Sequence, residues 1–223
     1  MQIRPLQTEI LFHIGPIPIA ESVVTTWGIM VALVSISWLG LQQMKVEGGP
    51  LQSTLEVVVQ AMADQIREIT GQIHSSFVPA LSTLFLFLVF ANLAAILPGV
   101  KAPTAHIETP AALAMVVFLS THYFGIRSRG LGAYLRHYTT PSVILTPLNI
   151  LSELTRTFSL MVRLFGNMMS HELVLTIIAM LAGLFVPIPF LLLGVLIGLI
   201  QAYIFTVLAT VYIGAAAGVV SIE

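Results

Sequence analysis

The chain has 223 residues, of which 57% are hydrophobic and 9% are charged, and its mean hydropathy is +0.97. Because soluble domains carry about 25% charged residues, this composition predicts a polytopic membrane protein. The net charge of −1 indicates no surface for nucleic acid, and the absence of cysteine excludes disulfides, thiolate nucleophiles and cysteine metal sites.

The N-terminal part predicts an arm followed by a first membrane span. Residues 1–21 are mixed in polarity, carry three prolines and are expected to form an irregular arm. Residues 22–41 carry no charge and are about long enough to cross a bilayer. Trp27 and Trp38 lie near the two ends of this stretch, where interfacial aromatic residues belong. No basic segment and no small-residue cleavage site accompany it, so we expect a retained span rather than a signal peptide.

Residues 53–74 have a different pattern. Ser53 and Glu56 have the spacing of a capping box, which favours a helix start. Apolar residues then recur every three or four positions from Leu55 to Ile73, while charged and amide side chains occupy the other faces. This pattern predicts an amphipathic helix lying on the membrane surface or on a neighbouring span. His74 at its end is expected to be solvated.

Four further spans are predicted from long apolar runs, and residues 127–147 are expected to form a loop. The spans cover residues 77–97 with Asn92 inside, 109–126 with His122 inside, 148–184, and 190–217. The predicted fold class is therefore an all-α polytopic membrane protein with one domain over residues 1–223. It has five transmembrane helices plus one amphipathic surface helix, and the last two helices are long and form a hairpin.

The basic residues predict the orientation of the spans. Five of them fall on one side of the predicted topology and two on the other. The larger group is Lys45, Arg67, Arg127, Arg129 and Arg136, and the smaller is Arg4 and Lys101. Since basic loops stay in the cytoplasm, the C-terminus is expected there and the N-terminus outside.

The stretch 152–172 is unusually polar for its surroundings, since no Asp, Glu, Lys or Arg occurs from 173 to 222. On a helix at about 100° per residue, six polar side chains of this stretch fall within about 40° of one line. This set, which we call the polar stripe, is Ser152, Arg156, Ser159, Arg163, Asn167 and Ser170. Glu172 falls on the opposite face, with His171 between.

Arg163 is costly in this position because arginine does not deprotonate in proteins. A charge at the bilayer centre costs about 2.5–3.5 kcal/mol on insertion scales, so its side chain is expected to face protein or water. The alternatives are an arginine that snorkels to the interface or one tied in a structural ion pair. Arg156 lies nearer the start of the segment, and Glu153, one turn away, could be its structural partner.

Motifs for catalysis are absent from the sequence: it has no H-E-x-x-H, no G-x-S-x-G and no P-loop. His171 and Glu172 could act as base and acid, but adjacent residues on a helix do not face each other. No cofactor and no metal site are therefore predicted. A self-contained secondary transporter would need internal repeats or broken helices around a substrate site, and no repeat is visible.

Three stretches of the chain carry distinctive motifs. Met161 to Met168 reads MVRLFGNM, with Glu172 nine residues beyond the arginine. This stretch resembles the signature helix of the membrane-sector subunit a family of bacterial F-type ATP synthases. Gln201 to Phe205 with Tyr212 resembles its last helix, and Phe90-Ala91-Asn92 followed by Leu97-Pro98 resembles its second long span. The resemblance covers essentially the whole chain.

The resemblance implies a stator in the bacterial plasma (inner) membrane that couples the flow of H⁺ or Na⁺ to ATP synthesis. Its partners would be the ring of c subunits, the b-subunit peripheral stalk, the rest of the ATP synthase complex and membrane lipid. Two offset half-channels would reach the ring carboxyls from opposite sides, with Arg163 between them. Asn167 and Gln201 would line the channels near the arginine, Glu172 would serve the outer one, and Arg156 and Tyr212 would be secondary.

The sequence departs from the family pattern at the outer inlet. Ala95 stands where many members have Asp, and Gly194 stands where members that keep Glu172 often have His. The imidazole is then supplied by His171, with Glu172 beside it. The loop residues His106 and Glu108, together with Asn92, complete the expected inlet. The alternatives are roles outside the ion path: a solvated loop histidine for His106, a packed histidine for His122 and a buried hydrogen-bonding amide for Gln201. Ring size, ion identity and the main direction of operation stay open.

Overall fold

The computed structural model describes residues 10–14, 17–42, 50–71, 77–96, 102–139, 143–183 and 185–218. Several residues used above lie outside the described ranges: Arg4, Lys45, His74, Leu97, Pro98 and Lys101. Nothing below concerns them.

Seven α-helices make up most of the described chain. They are α1 Glu21–Gln42, α2 Pro50–Thr70, α3 Val78–Leu93, α4 Glu108–Arg129, α5 Leu131–Thr139, α6 Thr146–Ala182 and α7 Pro187–Ala217. Five helices in the described ranges are long and apolar enough to cross a membrane: α1, α3 with the short 3₁₀ helix that extends it, α4, α6 and α7. The all-α fold with five spans is thus confirmed.

The N-terminal arm contains a β-hairpin rather than irregular chain. Strand β1, Ile10–Ile14, pairs antiparallel with β2, Ile17–Ala20, directly before α1. The isoleucines and Phe12 of these segments have high strand propensity, and the three prolines outweighed that signal in the sequence interpretation.

The segment 127–147 is largely helical, so the expectation of a loop was wrong. Helix α4 runs to Arg129, and Gly130 adopts φ 79°, a left-handed conformation that suits glycine and ends the helix. Helix α5 follows at once and buries Tyr134. A Cβ on Gly125 of α4 would lie 2.5 Å from the Tyr134 ring, so glycine makes this contact possible. A nine-residue helix is too short to give a span signal in a sequence.

The chain divides into two compact units. The first contains residues 1–42, 86–110 and 162–202. Its interior contains Leu164 and Met168 of α6, Ala202 of α7 and the 3₁₀ helix Pro103–Ala105, all buried. The small residues of α7 allow a neighbouring backbone to approach closely, as in other membrane helix pairs.

The second unit contains residues 43–85, 111–161 and 203–223. Here α2 lies with its apolar edge against α7, where Met62 and Ile66 are buried beside Thr206 and Thr210. The outer edge of α2 is exposed and carries its charges. Tyr203 on α7 donates its hydroxyl hydrogen bond to Gln65 Oε1 at 2.8 Å. Helix α2 is therefore amphipathic, and its apolar edge packs on a neighbouring span.

Helices α6 and α7 are longer than a bilayer requires. With 37 and 31 residues they extend about 55 Å and about 46 Å at 1.5 Å per residue. A hydrocarbon core is about 30 Å thick, so helices of this length tilt or project beyond it. Arg163 lies near the middle of α6, about 26 Å from its first residue.

Candidate functional site

The polar stripe of α6 lies on an open face of the helix. All six of its residues are exposed, as are the apolar residues beside it, including Leu148, Phe158 and Val162. Among the described residues, no carboxylate lies within 4 Å of the Arg163 guanidinium and no hydrogen bond joins it to another side chain. The alternative of a structural ion pair for Arg163 therefore finds no support in the described part of the chain.

Asn167, one turn beyond Arg163, ties the stripe to α7. Its amide Nδ2 donates to Gln201 Oε1 at 2.7 Å, and Gln201 is only 2% exposed. The Gln201 Nε2 group is buried and has no hydrogen-bond partner among the described residues. An unpaired buried amide costs about 1–3 kcal/mol, so this donor favours a bound water beside it.

His171 occupies the space above Gly194, the position where the family resemblance places an imidazole on the last helix. A Cβ on Gly194 would overlap the His171 ring, the nearest atom being Nε2 at 1.7 Å. The ring of His171 thus lies where a side chain of residue 194 would otherwise be. The geometry agrees with an imidazole moved from α7 to α6.

Asn92 is buried and makes two hydrogen bonds to other segments. Its Nδ2 donates to the carbonyl of Gly198 on α7 at 2.8 Å, and its Oδ1 accepts from Thr104 Oγ1 at 2.8 Å. Thr104, in the 3₁₀ helix after α3, is fully buried. A Cβ on Gly198 would lie 2.9 Å from Asn92 Cβ, so the two helices touch at this glycine.

These contacts form one continuous group in the first unit, which we call the polar row. Its members are Asn92, Thr104, Asn167, His171, Gly194, Gly198 and Gln201. On α7 the three members fall at positions i, i+4 and i+7, which is one face of a helix. The row brings together five of the residues singled out in the sequence, which are Asn92, Asn167, His171, Gly194 and Gln201.

The remaining inlet candidates occupy separate places in the first unit. His106 follows the buried 3₁₀ helix, half-buried, and its backbone N–H donates to the Pro103 carbonyl at 3.3 Å. Glu108 is the first residue of α4 and is exposed. Glu172 on α6 is half-buried.

The second unit holds the other two candidates, Arg156 and Tyr212. The guanidinium carbon of Arg156 lies 5.7 Å from the centre of the Tyr212 ring, within the range of a cation–π contact. Both side chains line a cavity of about 240 Å³, which we call the α4–α6 cavity. Polar groups on its wall come from Thr121, Asn149, Ser152, Glu153 and Thr157.

Glu153, which lines the α4–α6 cavity, also lies next to His122 of α4, a pair that the sequence interpretation missed. His122 Nε2 is 3.7 Å from Glu153 Oε1. The sequence interpretation offered packing for His122, and the His122 ring does contact the Phe118 and Tyr134 rings. For Glu153 it offered a partnership with Arg156, because the two residues are one turn apart on the same helix. The contact joins residues 31 positions apart on α4 and α6, so helix periodicity gave no signal for it.

Two other members of the polar row, Gly198 and Thr104, were also missed, although one signal was present for Gly198. Gly194 and Gly198 are spaced four apart in an apolar helix, a pattern typical of close helix packing in membranes. Thr104 lay in a predicted loop and had no local signal.

Comparison with known proteins identifies the family of the chain. Residues 23–214 match the family model described as ATP synthase A chain. The chain belongs to the ATP synthase subunit a family. It is 55% identical over 221 residues to "ATP synthase subunit a 2" of a Bradyrhizobium species, which covers 99% of each protein.

Two further subunit a proteins are similar over nearly their full length. "ATP synthase subunit a 2" of Pelobacter propionicus is 46% identical, and the match covers 94% of this chain and 92% of that protein. "ATP synthase subunit a 1" of Hahella chejuensis is 43% identical, and the match covers 95% of this chain and 90% of that protein. This member of the subunit a family is thus a multi-pass membrane component of an ATP synthase complex, and it works in ATP synthesis and ion transport.

Proposed function

We propose that the chain is the stator of a rotary F-type motor and that Arg163 faces the carboxyls of a c-subunit ring. The observation that carries the proposal is Arg163 itself. It lies near the middle of a long span, on an exposed face, without a carboxylate neighbour among the described residues. A permanent charge in that position favours water or a partner beyond the described part of the chain.

A ring carboxyl is the partner that fits best. It is neutral while it turns through lipid and loses its ion beside Arg163, because a nearby positive charge favours the carboxylate. The exposed leucines, valines and Phe158 along α6 supply an apolar surface for the ring helices, and the serines of the stripe supply small polar contacts. The fixed cation also keeps ions from crossing directly between two half-channels.

The polar row and the residues near it are proposed to serve the outer half-channel. Asn167 and Gln201 lie next to Arg163 along α6 and α7, and His171 and Glu172 lie one turn farther. Asn92, His106 and Glu108 extend the series toward the loop before α4. The unpaired Nε2 of Gln201 supports a water molecule at this point of the path.

The proposed setting is the bacterial inner membrane, with the N-terminus outside and the C-terminus in the cytoplasm. Arg67, Arg127, Arg129 and Arg136 all belong to the second unit, which is consistent with a cytoplasmic side there. The b subunits of the peripheral stalk would hold the chain against rotation of the ring.

The alternative of a self-contained secondary transporter is less well supported. Such proteins use broken helices near the bilayer midplane, whereas α6 and α7 are continuous from Thr146 to Ala182 and from Pro187 to Ala217.

Replacing Arg163 tests the proposal. In membrane vesicles carrying the whole complex, Arg163→Ala is expected to abolish coupled ATP synthesis, a loss of more than about 100-fold, and to open a passive ion leak. Arg163→Lys is expected to fail largely as well, since lysine deprotonates when desolvated and lacks the planar guanidinium. Arg156→Ala is expected to be milder.

The matched control is Arg127→Ala. Arg127 is an exposed arginine of α4 that bonds only Tyr123 of its own helix among the described residues, so synthesis is expected to stay near normal. Near-normal coupled synthesis in Arg163→Ala would overturn the proposal.

A further inference from the structure

The last turn of α7 is held by side chains from the end of α4. The final four carbonyl groups of a helix have no partner within that helix. On α7, Arg129 Nη2 donates to the Ala215 carbonyl at 3.1 Å. Ser128 Oγ donates to the carbonyl of Ala217, the last residue of α7, at 3.0 Å. We call these two bonds the α4–α7 clamp. The guanidinium charge also complements the negative end of the α7 dipole.

Gly218, the residue after α7, leaves room for the guanidinium of the clamp. It adopts φ 81°, a left-handed conformation that suits glycine, and its N–H donates to the Ala215 carbonyl at 3.1 Å. A Cβ on Gly218 would lie 2.5 Å from Arg129 Nη2. Another residue at this position would displace the guanidinium, so the glycine serves both the helix end and the clamp.

The side chains of this last turn are too small to anchor it firmly. Residues 214–218 read Gly-Ala-Ala-Ala-Gly. A Cβ on Gly125 of α4 would lie 3.3 Å from the Ala216 Cβ and 2.5 Å from the Tyr134 ring of α5. Small residues let these segments approach closely, but they supply little interlocking surface. The position of the turn therefore depends on the hydrogen bonds of the clamp.

Tyr212 connects the last turn of α7 with the polar stripe. It precedes Ala215 by three residues, so the two belong to one turn of the helix. The centre of the Tyr212 ring lies 5.7 Å from the guanidinium carbon of Arg156, an exposed member of the stripe. A cation–π contact requires the cation over the face of the ring, so the position of Tyr212 decides where Arg156 is held.

We propose that Arg129 is a positioning residue for Arg156. Through the α4–α7 clamp it fixes the last turn of α7, and Tyr212 on that turn then holds the Arg156 guanidinium at one place on the polar stripe. All of these residues belong to the second unit. Arg129 acts from a distance, because among the described residues it forms no hydrogen bond or ion pair with α6.

The inference rests on the proposed function, because the place of Arg156 matters for coupling only if a ring passes the stripe. An exposed arginine has a long, flexible side chain, so its charge would otherwise be spread over several positions. Held over the Tyr212 ring, the charge stays at one height along α6. Each ring helix that passes then meets the same charge in the same place, which makes successive steps of rotation alike.

The simpler alternative is that the clamp only stabilises the end of α7. Loss of Arg129 would then reduce the number of assembled complexes, and each assembled complex would work at its normal rate. A positioning role predicts a lower rate for each assembled complex. It also predicts that loss of Arg129 has no further effect once Arg156 is gone, because the two residues act in series.

The test measures coupled ATP synthesis in membrane vesicles with the whole complex, divided by the amount of assembled subunit a on an immunoblot. We expect Arg156→Ala to lower this rate about fourfold and Arg129→Ala about threefold, the size expected when an exposed cation–π contact is lost. The two changes together are expected to lower it about fourfold, no more than Arg156→Ala alone, whereas independent effects would multiply to about twelvefold.

Arg129→Lys and Arg127→Ala complete the set of variants. Because the clamp uses one donor group of Arg129, lysine keeps a donor there and is expected to restore most of the rate. Arg127→Ala is the matched control, since Arg127 lies on the same helix but bonds Tyr123 of α4 instead of α7. Its rate is expected to match that of the unmodified protein.

The positioning role would be overturned by losses that multiply in the combined variant, or by a normal rate per assembled complex in either Arg129→Ala or Arg156→Ala. Failure of Arg129→Lys to recover any of the rate would also contradict it. If Arg129→Ala does not assemble, Ser128→Ala removes the other bond of the clamp and takes its place in the combination. In the same vesicles Arg163→Ala tests the stator role separately, so a failure of either proposal is recognised.

Discussion

The two units build their polar contacts in opposite ways from the same two long helices. In the polar row, side chains meet directly: Asn167 reaches Gln201 at 2.7 Å, and Asn92 reaches the Gly198 carbonyl at 2.8 Å. Around the α4–α6 cavity, polar groups surround open space, and His122 and Glu153 stay 3.7 Å apart.

The size of the side chains on α7 explains the difference. Gly194 and Gly198 let His171 and Asn92 come into contact with the α7 backbone. Farther along the same helix, Tyr212 stands at the cavity wall, and α5 contributes Tyr134 opposite. Small residues allow helices to approach closely, while aromatic residues hold them apart. The following predictions test this contrast.

The largest effect is expected where the close approach is blocked. In Gly198→Leu, the new Cβ would lie 2.9 Å from Asn92 Cβ and 3.3 Å from Met168 Cε, so α3 and α7 must separate. Overpacking of this kind costs about 1–3 kcal/mol and sometimes more, and we expect strong loss of assembled subunit a in membranes, measured by immunoblot.

The control for this change is Gly28→Leu on α1, because Gly28 is exposed and a Cβ added to it would have no neighbouring atom within 4 Å. Its level in membranes is expected to stay near that of the unmodified protein. Equal levels of the two variants would show that α3 and α7 do not rely on the glycine.

An intermediate effect is expected from removing one polar group of the row. Asn92→Leu leaves the Thr104 hydroxyl without its acceptor in a fully buried position. We expect a loss of about 1–3 kcal/mol in resistance of the complex to thermal unfolding in detergent. Thr104→Val removes only one hydrogen bond and is expected to cost about 1 kcal/mol.

The two changes together should cost less than the sum of the single changes, because they share that bond. A double variant whose loss equals the sum would mean that Asn92 and Thr104 act independently.

The smallest effect is expected at the contact between α2 and α7 in the second unit. Tyr203→Phe removes the exposed hydrogen bond to Gln65 but leaves the apolar contacts of Met62 and Ile66. We expect the local stability of α2 to fall by about 0.5 kcal/mol. Amide hydrogens of α2 would then exchange faster, while exchange in the other helices stays unchanged. Gln65→Leu should have a similar effect, and a general loss of stability above about 1 kcal/mol would contradict this assignment.

The sequence alone predicted those features that depend on neighbouring residues along one helix. Long apolar runs identified the spans, and spacings of three and four residues predicted α2 as amphipathic. The same periodicity placed Arg163 and Asn167 on one face of α6, and that face is exposed in the structure. Each of these properties follows from the turn of a helix, so no knowledge of its partners was needed.

Features that depend on two segments at once were decided by the tertiary structure. Asn92 meets Gly198 across 106 positions, and Tyr203 meets Gln65 across 138. The β-hairpin and the short α5 were also missed, since neither is long enough for a clear periodic signal. The partner of each polar side chain depends on where two helices cross, and that is set by the packing of whole faces rather than by residues near in sequence. For this reason the sequence pointed to Arg163 directly, whereas the His122–Glu153 pair emerged only when α4 and α6 were seen side by side.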